Sequence, residues 1–595
     1  MSANIRWARE GNIFMSYVTL INTLDSLNKD APKNFTKYHP KKSDTEKLNQ
    51  ARAKAFIHLF LKVRFGVLDF ADRHALICDG TQDGGVDAYY IDEENRKIYL
   101  IQSKFRTSVK NFEEKSIEVS ELLRMEVGRI SKGESLDSNG QPFSARIADL
   151  QKQISNTRNI ALYDWKVVLL ANLHKVNDEQ LKRLLDNMEY ELFDYSRTYS
   201  ELVFPLTTGT YFRPNEIVIT INLGRKSHPQ LSQDVDTPLG PCNVRMIYVP
   251  IIEIARMTAK YKNSLLRYNP RNYLSLKKNE VNKSIRDTVL NTSHNEFSLR
   301  NNGITVLAEY SSVTDRTGVS GEGQLIIKDP QILNGGQTAT TLAMILEDEN
   351  AGSAVFGAKE VLLKIIEKPG HTSDEELMLF IETISDATNK QSRIVEADRR
   401  ANEPKMLQLQ SHFFDSYGLF LERKRGEFQY GLDSGAITKK DVIDRVALIR
   451  AVTAYNGAPS KARSSEDKMF EEERFKDLLA DFDLVKITRA YFTLRAIEDM
   501  NSEEKKQGRP TVTYGKYTLL YASSQIGNDD TSRSKSVKEQ AAQNLEYIQS
   551  KWSLFEAHVK TLASNVKYVL PDGFNYDGYY KGSTVSADVL NYKWM

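Results

Sequence analysis

Residues 81–105 read TQDGGVDAYYIDEENRKIYLIQSKF, and this stretch decides how the N-terminal part of the chain is interpreted. Two apolar runs flank the polar turn DEENRK, which is the pattern of a β-hairpin. Asp87 and Gln102 are symmetric about the centre of that turn, so a two-residue hairpin makes them cross-strand neighbours. Gln102 and Lys104 are two apart on one strand and share a face. One face is therefore expected to hold a carboxylate, an amide and an ammonium group.

Two interpretations fit these residues. An ordinary surface hairpin with a glycine entry and solvated polar ends explains them without any function, because such triplets are common. A nuclease site explains them as a place where oxygen ligands hold a hard cation and a lysine stabilises charge on a phosphate. The pair Gly84–Gly85 favours the nuclease site, because it permits an unusual backbone just before Asp87.

Length and composition limit the classes of protein to which the chain can belong. The 595 residues predict roughly three or four domains, and 40% hydrophobic with 27% charged residues is typical of soluble globular proteins. No apolar run long enough for a membrane helix and no signal pattern is present, and the only cysteines, Cys78 and Cys242, exclude a disulfide framework and a CxxC zinc site. We therefore expect a cytoplasmic protein that does not bind a membrane. The net charge of +2 neither requires nor excludes nucleic acid.

Around the hairpin, the sequence predicts an order of helix, hairpin, helix and strand. An amphipathic helix begins near Asp44, with Gly66 as its stop. A second helix covers residues 146–156, and the apolar run WKVVLLANL at 165–173 predicts a buried strand. The strand EIVITINL at 216–223 completes this part, and the glycine- and proline-containing segment 224–241 predicts a linker.

The hairpin resembles the active-site hairpin of PD-(D/E)xK nucleases, in the Mrr-like subgroup in which glutamine replaces the second acid. The resemblance implies that Asp87 is a metal ligand and that the Ser103 carbonyl is another. It also implies that Lys104 is the catalytic lysine and that Gln102 occupies the substituted position. Magnesium, with manganese as a substitute, is the cofactor that follows from this resemblance.

Glutamine at position 102 leaves such a site one negative charge short, so a further carboxylate is expected nearby. Asp83 is the closest in sequence, and Glu46, at the start of the preceding helix, is the acid that the nuclease fold suggests. Glu46 also has a simpler explanation, because an acid in the first turn of a helix is stabilised by the helix dipole.

A second glycine-containing turn lies in the middle of the chain, where the strand LIIKDPQIL meets a helix at NGGQT, residues 334–338. Backbone N–H groups at such a turn can bind an anion. Alternatively, the glycines only make a tight turn and Thr338 caps the helix. Asn302–Gly303 similarly suits a hairpin turn without any function.

The ordered series NPRNYL, VNK, NNGIT, NGGQT, TNKQS and LERKRGEF resembles the AIPR family of abortive-infection phage-resistance proteins over roughly residues 245–470. NGGQTATTL followed by TNKQS is also loosely similar to motifs of ParB-like and DndB-like proteins, which bind nucleotide or DNA there. The residues expected to contact a ligand are Asn302, Gly335, Gly336, Gln337, Thr338 and Asn389.

These observations predict an α/β multidomain chain. The two resemblances imply an N-terminal restriction-endonuclease-like αβββαβ core and a central α+β AIPR domain, and the helical pattern predicts a mostly helical C-terminal region. The expected boundaries are a helical lead-in at 1–40, the nuclease domain at 41–223, the linker at 224–241, the AIPR core at 242–410 and its helical part at 411–595.

The function that follows is that of a bacterial anti-phage protein, a Mg²⁺-dependent endonuclease hydrolysing phage or host DNA. Its AIPR region would sense a nucleotide or a phage-derived trigger or recognise the substrate, and a homodimer would allow both strands to be cut. The alternative is a nucleotide- or DNA-binding sensor whose nuclease-like domain is inactive. RNA is a less favoured substrate, because no RNA-binding signature is present.

Overall fold

The computed structural model describes residues 13–117, 122, 125–173, 177–185, 187–224, 230–269, 280–291, 294–348, 352–370, 373–389, 396–480, 482–507, 515–526 and 536–594. The chain divides into two compact units. The first comprises Phe14–Asp386 and Gly426–Lys439, and the second contains Ala387–Arg425 and Lys440–Met595. The multidomain α/β class predicted from the sequence is confirmed.

The first helices are α1 (Ile13–Lys29), α2 (Thr45–Phe65) and α3 (Phe70–Ala75). The predicted start of α2 is confirmed, because the Asp44 side chain accepts a hydrogen bond from the Lys47 N–H and caps the helix. Its predicted end is also confirmed, at Gly66, which adopts the left-handed conformation with φ of +66°.

A four-stranded sheet follows, with its strands side by side in the order β1 (Ala88–Asp92), β2 (Lys97–Ser103), β3 (Asp164–Leu170) and β4 (Glu189–Phe193). β1 and β2 are antiparallel, whereas β3 is parallel to both β2 and β4. Ala88 pairs with Ile101 and Asp92 with Lys97, which is the register predicted from the symmetry of DEENRK. The turn holds four residues rather than the predicted two, because pairing stops at Asp92 and Lys97.

The helices of this region are α4 (Val127–Ser131), α5 (Ala145–Asn156), α6 (Asp178–Leu184), α7 (Tyr195–Arg197) and α8 (Phe204–Thr208). Ile147 and Leu150 of α5 belong to the same core as Tyr89 and Leu100 of the hairpin. Before the hairpin, the chain contributes only a one-residue bridge from Ile77 to Ala88, in place of a full strand. The predicted αβββαβ order is thus present only in part, with β4 as an additional strand.

The central region contains two sheets, ordered β5-β10-β9 and β11-β8-β12-β7-β6. The strands are β5 (Glu216–Asn222), β6 (Gln230–Thr237), β7 (Gly240–Pro250), β8 (Ile304–Ala308), β9 (Tyr310–Thr314), β10 (Glu322–Lys328), β11 (Gln331–Asn334) and β12 (Glu360–Glu367). The helices are α9 (Ile251–Tyr261), α10 (Glu280–Asn291), α11 (Phe297–Arg300), α12 (Gly336–Glu347) and α13 (Asp374–Asn389).

The structure corrects two boundaries here. β5, expected to finish the nuclease domain, pairs along its whole length with β10 and so belongs to the central region. The segment 224–241, expected to be a linker, contains β6, which pairs with β7 from Gln230 to Thr237. Nearly all of β6 is exposed, so it carries no alternating apolar pattern by which the sequence could reveal a strand.

The second unit is mostly helical, as predicted. Its helices are α14 (Glu396–Arg399), α15 (Pro404–Tyr417), α17 (Arg445–Tyr455), α18 (Glu466–Met469), α19 (Glu472–Leu478), α20 (Leu484–Lys506), α21 (Lys516–Ser524), α22 (Val537–Thr561), α23 (Tyr576–Lys581) and α24 (Val585–Asn591). α16 (Gln429–Ser434) belongs to the first unit. The short strands are β13 (Phe420–Glu422), β14 (Val442–Asp444), β15 (Val569–Leu570) and β16 (Gly573–Phe574).

The boundary predicted at residues 410 and 411 falls inside α15 and is therefore wrong. Met406, Leu409 and Phe413 of this helix are buried in one continuous core with α17 and α20, so the helix cannot be divided between domains. Among the helices that the structure describes, none is both long and apolar enough to cross a membrane.

Candidate metal centre

Asp87 lies at the entry to β1 and is fixed by backbone hydrogen bonds on both sides. Its N–H donates to the Ile101 carbonyl at 2.8 Å, and its carbonyl accepts from the N–H groups of Cys78 and Asp79 at 2.8 and 3.1 Å. Its carboxylate accepts a hydrogen bond from the Ser103 N–H at 2.6 Å and is buried, with the residue 8% exposed. The hairpin register therefore places the Asp87 side chain beside the end of β2.

Asp83 is held in the glycine-containing loop that precedes β1. Its two carboxylate oxygens accept hydrogen bonds from the N–H groups of Gly80 and Gly85, at 3.1 and 2.9 Å. Gly84 and Gly85 both have positive φ, which lets this short loop turn sharply around the carboxylate. The pair that the sequence singled out therefore shapes the loop that positions Asp83.

Asp79 completes an acidic group with Asp83 and Asp87. Each of the three carboxylates offers an oxygen atom that lies within 4.8 Å of the other two. Asp79 is the exposed member, and its Oδ2 lies 3.6 Å from the Lys54 Nζ on α2. The three acids are spaced four residues apart, and the bridge from Ile77 to Ala88 brings Asp79 next to Asp87.

Burial and mutual repulsion raise the pKa values within this group. The pKa of Asp87 is raised to about 7, chiefly by burial and also by the charges of Asp79 and Asp83, while the Ser103 N–H and the charge of Lys104 oppose this rise. Burial also raises the pKa of Asp83, partly offset by the two glycine N–H groups. Desolvated carboxylates this close together repel one another, and a divalent cation would relieve that repulsion.

Lys104 follows β2 directly and is anchored by its backbone N–H, which donates to the Leu170 carbonyl at 2.9 Å. Its side chain is half-buried, and its positive charge lowers the pKa values of Asp83 and Asp87. The ammonium group therefore acts electrostatically on the acidic group, and its place on the same face as Gln102 stays a prediction.

Gln102 has a different environment from the one that the sequence suggests. Its side chain is 1% exposed, and its amide Nε2 donates to the Gly85 carbonyl at 2.8 Å. The amide therefore ties β2 to the loop that carries Asp83. This contact gives Gln102 a positioning role that the sequence pattern does not reveal.

Glu46 lies away from the acidic group. It is exposed in the first turn of α2, where its carboxylate accepts a hydrogen bond from the Gln50 Nε2 at 3.5 Å. The residue of α2 that reaches the acidic group is Lys54, two turns further along. The structure thus favours the helix-dipole explanation of Glu46, and sequence reasoning missed both Asp79 and Lys54.

The NNGIT and NGGQT motifs lie against each other. The Asn301 Nδ2 donates to Thr338 Oγ1 at 3.1 Å, and a Cβ atom on Gly335 would lie 2.9 Å from the Gly303 carbonyl oxygen. Asn269, the first residue of NPRNYL, donates to the Leu333 carbonyl at 3.2 Å. The glycines therefore permit a tight turn with close backbone packing, as one interpretation of the sequence predicts. The predicted cap by Thr338 is wrong, because Gly335 is the N-cap of α12 and no side chain caps the helix.

The remaining predicted ligand contacts differ in their exposure. Asn302 is exposed, and Gln337 is half-buried at the start of α12. Asn389 ends α13, and its side chain lies outside the described residues, as does most of TNKQS.

Residues 266–570, just over half of the chain, match the family model described as AIPR protein. No curated protein and no solved structure matches the chain.

Proposed function

Because the chain belongs to the AIPR protein family, which suggests a role in bacterial abortive infection and antiphage defence, we propose that it is a metal-dependent DNA endonuclease of that defence. The observation that carries this proposal is the group Asp79, Asp83 and Asp87, which is buried for the most part and feels the positive charge of Lys104 at the end of a hairpin. Perturbed pKa values in such a cluster are typical of functional sites.

The donor set fits a hard divalent cation. Asp79, Asp83 and Asp87 supply carboxylate oxygens, which Mg²⁺ and Mn²⁺ prefer. The Ser103 carbonyl is a further proposed ligand, because a strand residue directs its N–H and carbonyl to the same side and the Ser103 N–H contacts Asp87. When bound, the cation supplies Lewis-acid chemistry for hydrolysis of a phosphodiester.

The surrounding residues prepare the site for that chemistry. Lys104 adds a positive charge that can stabilise negative charge developing on the phosphate. Gln102 and the two glycine N–H groups hold the Asp83 loop in place, and Asp87 releases its proton when a cation binds.

One observation favours the alternative, a DNA- or nucleotide-binding sensor with an inactive nuclease-like domain. At the position of the second acid, the Gln102 amide is used to hold the Gly85 carbonyl. In that case the acidic group would bind a cation and DNA without cleavage.

Cleavage of plasmid DNA separates the two functions. The full chain is incubated with plasmid in Mg²⁺, Mn²⁺ or EDTA, with phage DNA and single-stranded RNA as further substrates. We expect metal-dependent nicking or linearisation of DNA that is lost in Asp87→Asn and strongly slowed in Lys104→Ala. Glu93→Gln is the matched control, because it removes one exposed carboxylate from the turn of the same hairpin.

Cleavage that survives in a folded Asp87→Asn variant would disprove the assignment. DNA binding without cleavage in any metal would instead establish the sensor, and cleavage of RNA alone would change the substrate.

A further inference from the structure

A cavity of about 520 Å³ lies at the end of α2, between β1 and the segment that leads into β5. Its volume is within the range of small-molecule binding sites. The cavity is separate from the acidic group, although both share two elements. The first shared element is α2, in which Lys54 contacts Asp79 and Phe65, at the end of the helix, lines the cavity. The second is β1, which Asp87 precedes and in which Asp92, at the far end, lines the cavity.

Two pairs of stacked aromatic rings line this cavity. Phe65 stacks on Tyr90 with ring centroids 4.2 Å apart and planes 11° from parallel. Phe212 stacks on Tyr261 with centroids 5.7 Å apart and planes 17° from parallel. Phe65 and Tyr261 are buried, so Tyr90 and Phe212 are the rings with surface left for a planar ligand, and because they are already packed they lose little further side-chain freedom on binding.

Phe212 is held in an unusual backbone conformation. Its φ is +55°, a region that bulky residues rarely adopt. Its ring occupies the space beside Gly66, where a Cβ atom would lie 2.2 Å from a ring carbon. Such strain persists only where the surroundings enforce it, and it is concentrated at ligand sites. Gly66 thus both ends α2 and makes room for the aromatic wall.

Cations line the same cavity. The Lys260 ammonium lies 5.8 Å from the centre of the Phe212 ring and 5.1 Å from that of Tyr261, so a positive charge stands beside one aromatic wall. Arg213 is ion-paired with Asp329, and Arg64 lies 3.6 Å from Glu191. Lys260 is exposed and therefore accessible to an anionic group on a ligand.

Carboxylates are also present, and they limit the class of ligand. Glu94 and Glu216 line the cavity and are exposed, and Asp92 and Glu201 line it as well. Glu201 is ion-paired with Arg197, and Asp92 accepts hydrogen bonds from Asn95. Glu94 and Glu216 are therefore the carboxylates that would chiefly repel a simple anion, and an apolar ligand would desolvate them. A ligand that carries a flat ring, hydroxyl donors and a negative group can satisfy all three kinds of lining residue.

We propose that this cavity binds a nucleotide. The base stacks against the aromatic walls, the sugar hydroxyls donate hydrogen bonds to the carboxylates, and the phosphate interacts with Lys260 and Arg213. This site is distinct from the NGGQT turn, to which sequence reasoning assigned ligand binding.

The test is calorimetric titration of the full chain with AMP, ADP, ATP and GMP, and with adenosine, ribose 5-phosphate and inorganic phosphate as partial ligands. All titrations contain EDTA, so that no metal-bridged binding at the acidic group contributes and the result is independent of nuclease activity. We expect one nucleotide per chain, weaker binding of adenosine, and no measurable binding of ribose 5-phosphate or phosphate.

Two variants locate the site. Lys260→Ala should weaken nucleotide binding by about 10-fold or more, the loss expected for one charge-assisted contact, while leaving adenosine unaffected. Tyr90→Ala should weaken both. Lys152→Ala, which removes an exposed lysine from α5, is the matched control and should change neither.

The proposal is overturned if none of the nucleotides binds, or if Lys260→Ala binds them as tightly as the unaltered chain does. Because Lys260 is exposed, its replacement leaves the fold intact, so this second outcome remains decisive even if Tyr90→Ala does not fold.

Discussion

The acidic loop before β1 and the NGGQT turn before α12 are both glycine-containing bends at the edge of a sheet, yet their surroundings differ. In the acidic loop, backbone N–H groups face the Asp83 carboxylate, and three carboxylates share a small space. At the NGGQT turn, the space beside Gly335 is filled by the Gly303 carbonyl and Ile304. The space beside Gly84 in the acidic loop is also filled, by Phe143 and Ile130, so the two turns differ in the carboxylates gathered at the acidic loop and not in the room beside their glycines.

The largest expected effect concerns Lys104, the positive charge that acts on the acidic loop. Under the proposed nuclease function, Lys104→Ala should lower the rate of DNA cleavage about 10²- to 10³-fold, because it removes the positive charge proposed to stabilise the reacting phosphate. Binding of Mn²⁺ should be retained, since the three carboxylates remain. Cleavage rates measured under saturating metal check this expectation, and an unchanged rate would show that Lys104 takes no part in cleavage.

The next effect tests the packed turn. Gly335→Ala should destabilise the first unit by about 2 to 5 kcal/mol, because its φ is +85° and the new Cβ would lie 2.9 Å from the Gly303 oxygen. Gly133→Ala is the matched control, since Gly133 has φ of +74° and no heavy atom within 4 Å of its Cβ position. It should lose only about 1 to 2 kcal/mol. Equal losses in denaturant unfolding would mean that the turn has room for a ligand.

A third expectation concerns α2, which carries Lys54 toward the acidic group. Burial and the nearby Arg73 lower the pKa of His58 to about 2, and the Arg73 Nε donates to the His58 Nδ1 at 3.1 Å. In the unfolded chain His58 takes up a proton near pH 6.5, whereas the folded chain does not. Its contribution to stability is therefore complete above pH 6.5 and is lost as the pH falls below that value.

The loss should reach about 2 kcal/mol at pH 5, at roughly 1.4 kcal/mol per pH unit. Unfolding of the chain and of His58→Gln at pH 8 and pH 5 measures it, and the variant should show the smaller drop. Identical drops would show that His58 is protonated in the folded state.

A smaller effect is expected at the contact between the two central motifs. Thr338→Val should destabilise the first unit by about 0.5 to 1.5 kcal/mol, because it removes the acceptor of the Asn301 amide while keeping the shape of the side chain. Thermal unfolding measures this change, and Thr340→Val, at a half-buried position on the same helix, is the control. A stability equal to that of the unaltered chain would mean that the two motifs are not coupled by this bond.

The smallest effect distinguishes Glu46 from Asp79 as a carboxylate ligand of the metal. Glu46→Gln should leave Mn²⁺ affinity unchanged, because Glu46 is exposed and lies outside the acidic group. Asp79→Asn should weaken the same affinity. A loss of metal binding in Glu46→Gln would show that Glu46 is a metal ligand, as the nuclease resemblance suggested.

The residues that sequence alone places correctly are those fixed by local rules. The register of the hairpin follows from the symmetry of DEENRK, and the ends of α2 follow from Asp44 and Gly66. Local rules do not identify Asp79 as a member of the acidic group, because a single long-range bridge, from Ile77 to Ala88, brings it to Asp87. Its spacing from Asp83 and Asp87 is a signal that could have found it.

Other features depend on contacts that no local pattern contains. The exposed strand β6 lacks an apolar face, so its pairing with β7 is invisible in the sequence. The role of Gln102 depends on the Gly85 carbonyl, which is 17 residues away in the sequence. The glycines of NGGQT are compatible with a ligand-binding turn in the sequence, and only the structure shows that Gly303 packs against them.

Manganese binding tests the central claim most directly. Electron paramagnetic resonance of Mn²⁺, titrated into the full chain, into Asp87→Asn and into Gly336→Ala, compares the two turns in one experiment. The account predicts that Asp87→Asn abolishes binding, whereas folded Gly336→Ala binds Mn²⁺ as the unaltered chain does. Undiminished binding in Asp87→Asn would contradict the assignment of the acidic loop as the metal centre.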